Sequence, residues 1–387
     1  MYFMSIRVSI LFAIFLCYTT TGQIYFPTFN SPWEVKNPEE YNFNLDKLSK
    51  VISFAKTNEY KGENDLRIAI LKGFSKEPYH KILGPTKKRG KPSGIILKNG
   101  YQILFWGDTK RVDMTFSVTK SYLSTIAGLA VDRRFFKTKD LVKNLIWDNK
   151  FDGKHNSKIT WAHLLNQSSD WAGNLWGLDD WGDRPPEIGE IDDWKNRIYK
   201  TPGTYYEYND VRVNLLAYSL LQVWREPLPK ILKKYIMDPI GASTTWRWYG
   251  YENSWVEIDG NRVQSVSGGG HSGGGIFIST EDHARFGLLF LNKGKWEGKQ
   301  LISELWINQA TNPSGSNASY GFMWWLNTKG TSRYWEGVPE NVYYASGFGG
   351  NYIVVIPDFN MVVVARWIEP SKIGEFIRLI YESHPKI

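Results

Sequence analysis

Cysteine is nearly absent from this sequence, which has 387 residues and a single thiol at Cys17. One cysteine cannot form an intramolecular disulfide, so the fold must be stable without covalent cross-links. Cys17 also lies inside an N-terminal apolar segment, and a chain cleaved after residue 22 would keep no thiolate chemistry. Disulfide scaffolds and cysteine-dependent enzymes are therefore excluded for the processed chain.

Dense runs of one charge are lacking as well. Lys and Arg number 47 and Asp and Glu 39, which leaves a formal net charge of +8. The basic residues are scattered, so the surplus favours anionic surfaces or substrates in general and does not indicate a nucleic-acid partner. With 42% apolar and 22% charged residues, the chain has the composition of a folded protein with a substantial core.

Cofactor motifs are missing too. No His, Cys and carboxylate residues recur at metal-ligand spacing, and no glycine-rich phosphate loop is followed by Lys-Ser or Lys-Thr. We therefore expect neither a metal nor an organic cofactor.

The one marked apolar run is short and N-terminal. A positively charged start precedes an apolar core over residues 8–18, and small residues follow up to Gly22. This pattern predicts a secretory signal peptide over residues 1–22, because the run is too short to span a bilayer. A lipid anchor on Cys17 is disfavoured, since bulky Leu16 precedes it. We expect a periplasmic or secreted protein with no stable membrane insertion once the signal is removed.

Hydrophobic periodicity separates a helical middle from ends that contain strands. Asn-Gly between two apolar runs predicts a hairpin over residues 93–106, whereas residues 117–235 have mostly helical periodicity. Helices are further predicted at 44–58, 63–73, 280–291 and 373–381, and strands at 276–278, 320–326, 341–346, 351–356 and 361–367.

This order of elements predicts an α+β fold, with one sheet built from N- and C-terminal segments and flanked by helices. The α/β lobe would comprise residues 23–130 and 268–387. Residues 131–267 would form an inserted, mainly helical lobe.

The strongest chemical signal is a serine three residues before a lysine at the start of a helical run. Ser117 and Lys120 would lie on one helix face, with Cβ atoms about 5–6 Å apart, so the amine can reach the hydroxyl. A serine needs a positioned base in order to attack, and an amine can serve if its surroundings keep it neutral. Ser53 and Lys56 repeat this spacing without any other catalytic signal, so the spacing alone is not specific.

Two later segments supply the other groups that acyl transfer needs. Tyr208 precedes a predicted helix, and its phenol could relay the serine proton to the leaving group. The glycine-rich segment 345–351 leads into a strand, where the backbone N–H of Phe348 could join that of Ser117 in binding an oxyanion. Core packing and an ordinary turn are the alternative interpretations of these two segments.

Taken together, these motifs resemble the β-lactamase-related serine hydrolases. The resemblance rests on Ser-Val-Thr-Lys at 117–120, Pro-Gly-Thr at 202–204 with Tyr-Asn-Asp at 208–210, the segments 269–275 and 279–287, and Ala-Ser-Gly-Phe-Gly-Gly-Asn at 345–351. It covers about residues 90–380 and is nearest to the branch of class C-like β-lactamases, esterases and 6-aminohexanoate-dimer hydrolases.

The resemblance implies a β-lactamase/transpeptidase-like antiparallel sheet and a cofactor-free hydrolase acting on a small or peptide-like ester or amide. It implies Ser117 as nucleophile, Lys120 and Tyr208 as the proton-transfer pair, and the N–H groups of Ser117 and Phe348 as the oxyanion hole. Ser346, Gly347, Gly349 and Asp210 are candidates for substrate binding. The oligomeric state stays open.

Two departures from the family pattern keep alternatives open. Asp210 stands where the second motif usually has Asn, which would place a negative charge or a changed hydrogen bond near Lys120. The third motif, from Ala345, lacks the Lys or His that usually begins it, which weakens recognition of a β-lactam or peptide carboxylate. A penicillin-interacting D-alanyl carboxypeptidase or β-lactamase is the second hypothesis, and a catalytically silent cell-wall-binding protein is the third.

Two further sequence features bear on the site. Ser272 lies in a Gly-x-Ser-x-Gly segment, with Asp358 and His384 following in the order of an α/β-hydrolase. No alternating βα pattern precedes it, so we interpret residues 268–275 as a tight backbone crossing near the site.

Tryptophans in the stretch that contains Pro185-Pro186 form the second feature. Trp176 and Trp181 are predicted to rim the pocket and to provide aromatic walls for the substrate, with ordinary packing as the alternative.

Overall fold

The computed structural model describes residues 24–29, 31–184, 191–329 and 334–384. The predicted signal peptide and Cys17 lie outside these residues, as do Pro185 and Pro186. No helix in the described ranges is both long enough and apolar enough to cross a bilayer.

Helices and strands follow one another in short runs along the described chain. The helices are α1 (Leu45–Thr57), α2 (Leu66–Gly73), α3 (Thr119–Asp132), α4 (Gly153–Asn156), α5 (Trp161–Leu165), α6 (Ile191–Lys195), α7 (Asp210–Trp224), α8 (Leu228–Leu232), α9 (Thr280–Leu291), α10 (Glu304–Ala310) and α11 (Ile373–Ser383). The strands are β1 (Ser93–Lys98), β2 (Tyr101–Trp106), β3 (Asp113–Met114), β4 (Asn174–Leu175), β5 (Leu178–Asp179), β6 (Arg247–Ile258), β7 (Asn261–Val266), β8 (Gly275–Ile278), β9 (Lys295–Trp296), β10 (Lys299–Gln300), β11 (Trp325–Leu326), β12 (Tyr343–Gly347), β13 (Asn351–Ile356) and β14 (Met361–Arg366).

The main sheet is antiparallel, with strand order β11-β12-β13-β14-β1-β2. Every residue of β13 and β14 is buried, because helices cover both faces. Along β14, Val362 and Val364 pack in the core cluster that contains Phe286 of α9. Val363 packs in the opposite cluster, with Phe376 of α11. The fold is α+β, with a sheet drawn from both ends of the chain, as the sequence predicts.

Helix α3 runs through the interior and carries the first motif. All residues from Thr119 to Ala130 are buried, since the helix packs against α7, α8 and α10 as well as against β12. Its polar side chains find partners inside the protein; the Ser121 hydroxyl, for example, donates to the Met323 carbonyl at 2.8 Å. The nucleophile candidate Ser117 therefore stands at the entrance of a rigid, enclosed element.

A second sheet, of order β3-β8-β6-β7, was not fully predicted. The hairpin of β6 and β7 occupies residues 247–266, inside the segment expected to be mainly helical. Its turn residues Asp259 and Gly260 both have positive φ, at 50° and 74°. Asp-Gly in such a turn is a hairpin signal that the sequence contains.

Other predicted elements agree closely with the structure. The hairpin over 93–106 is β1 and β2, and the helix over 280–291 is α9. Only Trp325–Leu326 of the predicted strand 320–326 is extended. Near the end of the segment with helical periodicity, α8 ends at Leu232, before a π-helical turn.

Candidate active site

Ser117 lies in a short 3₁₀ turn, Phe116–Val118, between β3 and α3. Phe116 has a φ of 51°, a left-handed conformation that costs free energy for a bulky residue and persists where the surroundings enforce it. The turn is held from both sides. The Thr115 N–H donates to the Ile276 carbonyl at 2.9 Å, and the Phe116 ring packs on Phe348 with centroids 5.1 Å apart.

A buried histidine anchors the residue that precedes this turn. His283 Nε2 lies 2.7 Å from the Thr115 hydroxyl oxygen, and its Nδ1 lies 2.9 Å from that of Tyr122. Burial lowers the pKa of His283 well below its ordinary value, with Arg366 acting in the same direction. The imidazole is therefore a neutral structural link, and it positions the segment that leads to the nucleophile.

Lys120 contacts the Ser117 hydroxyl, as the i,i+3 spacing predicts. Lys120 Nζ lies 2.8 Å from Ser117 Oγ and 2.5 Å from Asp210 Oδ1. The Lys120 and Asp210 side chains are 2% and 3% exposed, so water screens their interaction only weakly. The lysine thus bridges the nucleophile and a carboxylate.

Asp210 belongs to a charged cluster formed by Glu77, Asp183, Arg184, Asp210 and His271. Arg184 Nη2 donates to Asp210 at 2.7 Å, and its Nη1 donates to Asp183 at 2.8 Å. His271 Nε2 lies 2.6 Å from Glu77, and its Nδ1 lies 3.5 Å from Asp210. The backbone N–H of Asp210 also donates to Asp183.

The charged cluster sets the protonation of Lys120. Burial disfavours the ammonium, but the Asp210 carboxylate together with Tyr208 outweighs this effect, so the pKa of Lys120 is raised. Burial likewise opposes the carboxylate of Asp210, yet Lys120 and Arg184 lower its pKa. The resting pair is therefore an ammonium and a carboxylate, and the neutral amine that could accept the serine proton is the minor form.

We predict that Asp210→Asn, which restores the usual third residue of the motif, will move the acid limb of the kcat/KM profile to lower pH. The reason is that the neutral amide no longer stabilises the Lys120 ammonium, so the base form appears at lower pH. We expect kcat/KM for an ester at pH 7 to rise by about tenfold, the effect of one pH unit of displacement.

Asp183→Asn is the matched control for this pH profile, because Asp183 pairs with Arg184 rather than with Lys120. The acid limb of the Asp183→Asn profile should therefore lie closer to that of the wild type than the acid limb of Asp210→Asn does. Equal profiles for the wild type and Asp210→Asn would show that Lys120 deprotonation does not limit the reaction.

Tyr208 is brought to the same place from the segment before α7. Its ring centroid lies 4.6 Å from Lys120 Nζ and 4.8 Å from Arg184 Cζ, so two cations face the ring. The ring also stacks on Trp325 at 5.6 Å. The next residue, Asn209, caps α7 by accepting from the Arg212 N–H. The structure thus brings Ser117, Lys120 and Tyr208 together.

The end of β12 passes directly beside the nucleophile turn. A Cβ atom on Gly347 would lie 2.2 Å from the Thr115 carbonyl oxygen and 3.3 Å from the Ser117 nitrogen, so only glycine permits this approach. The Phe348 carbonyl is held by Asn351 Nδ2 at 2.8 Å. The Phe348 N–H has no hydrogen-bond partner in the described ranges of the chain, which leaves it available to a ligand.

A cavity of about 840 Å³ opens above Ser117. Its polar lining includes Arg184, His271 and Ser346. Much of the remaining wall is aromatic, formed by Tyr60, Phe74, Phe116, Tyr206, Tyr208, Trp325, Phe348 and Tyr352. The predicted substrate-binding residues Ser346, Gly347 and Gly349 are part of this lining.

Three predicted substrate-binding residues do not line this cavity. Asp210 is buried behind the pocket against Lys120. Trp176 packs on Tyr218 with centroids 6.1 Å apart, and Trp181 packs on Tyr79 at 5.7 Å. Both tryptophans pack on other side chains of the protein, as in the alternative interpretation of ordinary packing.

The α/β-hydrolase arrangement around Ser272 does not form. Ser272 is followed by strand β8 rather than by a helix, and its carbonyl accepts from the N–H groups of Leu83 and Gly84. Asp358 accepts from Asn341, and His384 packs against aromatic rings near the C-terminus. Residues 268–275 do cross close to the site, because a Cβ on Gly269 would meet both Asp210 and Lys120.

Sequence reasoning missed most of the charged cluster. Three atoms that could bind a metal ion, from Glu77, Asp183 and His271, lie within 4.8 Å of one another. Ion pairs already engage these groups, since Arg184 binds Asp183 and His271 bonds to Glu77, so we assign no metal here. The one sequence signal for this cluster was the position of His271 within the glycine-rich residues 268–275.

Comparison with known proteins identifies the family of this chain. The family model described as "Beta-lactamase" matches residues 109–366, which is more than half of the chain. This chain belongs to the beta-lactamase family. The matched range contains Ser117, Lys120, Tyr208 and the glycine-rich segment at 345–351.

Individual relatives of this beta-lactamase family protein are distant. An uncharacterized protein of Alkalihalophilus pseudofirmus is 23% identical over 265 residues, which are 64% of this chain and 71% of the relative. A protein of Escherichia coli K12 named "Putative D-alanyl-D-alanine carboxypeptidase" is 25% identical over 194 residues, which are 42% of this chain and 45% of that protein. This chain therefore spans less than half of the latter relative.

Solved structures share the fold of this family member. The structure titled "EstCE1, a hydrolase with promiscuous acyltransferase activity" has a TM-score of 0.55 and 14% identity, covering 87% of this chain and 98% of that one. At this identity the likeness concerns the fold alone.

Proposed function

We propose that this beta-lactamase family protein is a serine hydrolase that cleaves an ester or amide bond through an acyl-enzyme on Ser117. The observation that carries the proposal is the 2.8 Å contact between Lys120 Nζ and Ser117 Oγ, in the open pocket that Ser117 lines. The family makes hydrolysis the general expectation, and the contact supports Ser117 and Lys120 as the residues that carry it out.

In the proposed reaction, neutral Lys120 takes the proton of Ser117 as Oγ bonds to the substrate carbonyl carbon. The N–H groups of Ser117 and Phe348 bind the oxygen on which negative charge develops. The carbon–leaving-group bond then breaks, and the leaving group receives the proton from Lys120 through the Tyr208 hydroxyl. Water next attacks the carbonyl carbon of the acyl-enzyme and gives its proton to Lys120 through Tyr208. That proton passes to Ser117 Oγ as the carbon–Oγ bond breaks, which releases the acid and restores the Ser117 hydroxyl.

The charge of the pocket supports an uncharged substrate. The third motif, from Ala345, has no cation, and the guanidinium of Arg184 is already paired with Asp183 and Asp210. A substrate carboxylate would have to compete with these buried carboxylates. Together with the aromatic wall, this favours neutral esters with an apolar acyl or alcohol part.

Arg184 also favours one second candidate, a D-alanyl carboxypeptidase or β-lactamase. Its guanidinium lines the pocket, and a cation there is what a substrate carboxylate requires. The E. coli relative named "Putative D-alanyl-D-alanine carboxypeptidase" indicates D-alanyl peptides as the substrates of this second candidate. A silent cell-wall binder would keep the pocket but show no turnover, since Asp210 holds Lys120 protonated.

The three candidates separate in one experiment that compares steady-state turnover of p-nitrophenyl butyrate, a chromogenic cephalosporin and a D-alanyl-D-alanine peptide. We expect kcat/KM for the ester to exceed that for either carboxylate substrate by about 100-fold or more, because a desolvated unpaired charge costs several kcal/mol. Faster cleavage of the cephalosporin or the peptide would establish the second candidate. Absence of turnover with all three, up to pH 10, would favour the binder.

We also propose that the mature enzyme works outside the cytoplasm. The support is the N-terminal pattern over residues 1–22, with its short apolar core ending at small residues. N-terminal sequencing of the protein exported by a bacterial host should begin at Gln23.

A further inference from the structure

An exposed apolar patch lies on the helical part of the chain, around Trp147. The side chain of Trp147 is 82% exposed, that of Phe135 41% and that of Leu145 38%. The three line one open groove of about 660 Å³ together with Val223 of α7. An exposed group of large apolar side chains is typical of a surface that binds a protein, a ligand or a membrane.

The patch is held in place by its surroundings. Trp147 Nε1 donates to the Asn144 carbonyl at 3.2 Å, and the Phe135 ring meets the edge of Trp224 with centroids 5.0 Å apart. Arg133 lies over the Tyr235 ring at 3.9 Å. These contacts fix the backbone under the patch while its apolar side chains stay in solvent.

The segment of the chain that carries Phe135, Leu145 and Trp147 is basic. Residues 131–158 contain eight Lys and Arg and four Asp, so this segment carries half of the net charge of the chain. Arg134 adjoins Phe135, Lys143 lies two residues before Leu145, and Lys137 and Lys139 lie between them in the sequence; all four are exposed, and none forms an ion pair with a described residue. The groove is also lined by Asp148 and by Arg225, which pairs with Asp259. An apolar centre with free cations around it is complementary to lipid phosphates above an acyl layer.

We propose that this patch docks the protein on the surface of an anionic lipid bilayer. Trp147, Phe135 and Leu145 enter the headgroup boundary, and the lysines and arginine beside them bind lipid phosphates. A soluble polyanion would engage the cations but leave the apolar side chains in water. The patch shares no lining residue with the Ser117 pocket, so this docking is independent of the proposed hydrolysis.

The test is co-sedimentation of the full chain with vesicles of phosphatidylcholine alone or with 30% phosphatidylglycerol. We expect binding to the anionic vesicles, weaker binding at 0.5 M salt, and little binding to the neutral ones. Trp147→Ala should lower the partition coefficient at least fivefold. Lys143→Gln should lower it by about fivefold, the effect of about 1 kcal/mol per surface cation.

Trp255→Ala is the matched control, because Trp255 is 45% exposed on β6, outside the patch. It should bind as the wild type does, and equal unfolding midpoints should show that the variants are folded. Three results would overturn the proposal: equal binding to both vesicle types, no binding, or equal losses in Trp147→Ala and Trp255→Ala. Competition by soluble polyphosphate that is as strong for Trp147→Ala as for the wild type would assign the patch to a polyanion instead.

Discussion

Replacing Ser117 by alanine should lower kcat/KM for an ester by about 10⁴-fold or more, the range seen when a nucleophile acting with its base is removed. The Ser117 hydroxyl is the one reactive group at the mouth of the pocket that contacts Lys120. Only one oxygen is lost, so the unfolding midpoint should stay within about 2 °C of the wild type. Initial rates at p-nitrophenyl butyrate concentrations below KM, corrected for spontaneous hydrolysis, measure the effect.

Ser272→Ala is the control for this loss. It removes the serine of the Gly-x-Ser-x-Gly segment, and its activity should stay within about threefold of the wild type. If Ser272→Ala were inactive and Ser117→Ala active, the assignment of the nucleophile would be wrong.

Replacing Lys120 by methionine should lower kcat/KM by about 10²- to 10⁴-fold, the usual contribution of a positioned acid–base group. Methionine fills much of the same buried space but cannot accept the Ser117 proton. The change also leaves Asp210 with one cation fewer, so the single variant should be destabilised by about 3 kcal/mol.

The double variant Lys120→Met with Asp210→Asn separates these two effects. It removes the uncompensated carboxylate, so stability to urea should recover while activity stays low. If activity recovered together with stability, Lys120 would be a structural partner of Asp210 and not a proton acceptor.

The first motif could be predicted because its geometry is local. Ser117 and Lys120 are three residues apart, and one helical turn brings them into contact whatever the rest of the chain does. The hairpin of β1 and β2 was equally local, since Asn99-Gly100 fixes the turn. Tyr208 and the segment at 345–351 became interpretable only through their order along the chain, which the family resemblance supplied.

The charged cluster could not be predicted, because its members come from distant segments. Glu77 follows α2, Arg184 follows the β4–β5 hairpin, and His271 lies between β7 and β8. Hydrophobic periodicity describes local structure only, so it could not show that these three segments meet behind Lys120. The same limit applies to Trp176, because a tryptophan-rich pattern could not show that its ring packs on Tyr218.

Asp210 is the residue where sequence and structure are most informative together. The sequence identifies it as a departure from the usual Asn, and the structure gives the consequence, a 2.5 Å contact that favours the charged form of Lys120. An enzyme built this way should be most active at alkaline pH, where neutral Lys120 becomes populated.

The account depends on Ser117 being an activated nucleophile, and active-site labelling tests this most directly. The protein would be incubated with a fluorophosphonate, digested with trypsin and mapped by mass spectrometry. We predict an adduct on the peptide of residues 112–120, in which Ser117 is the only serine, and none in Ser117→Ala. An adduct on the peptide of residues 263–285, which contains Ser272, or no adduct at any pH up to 10, would contradict the account.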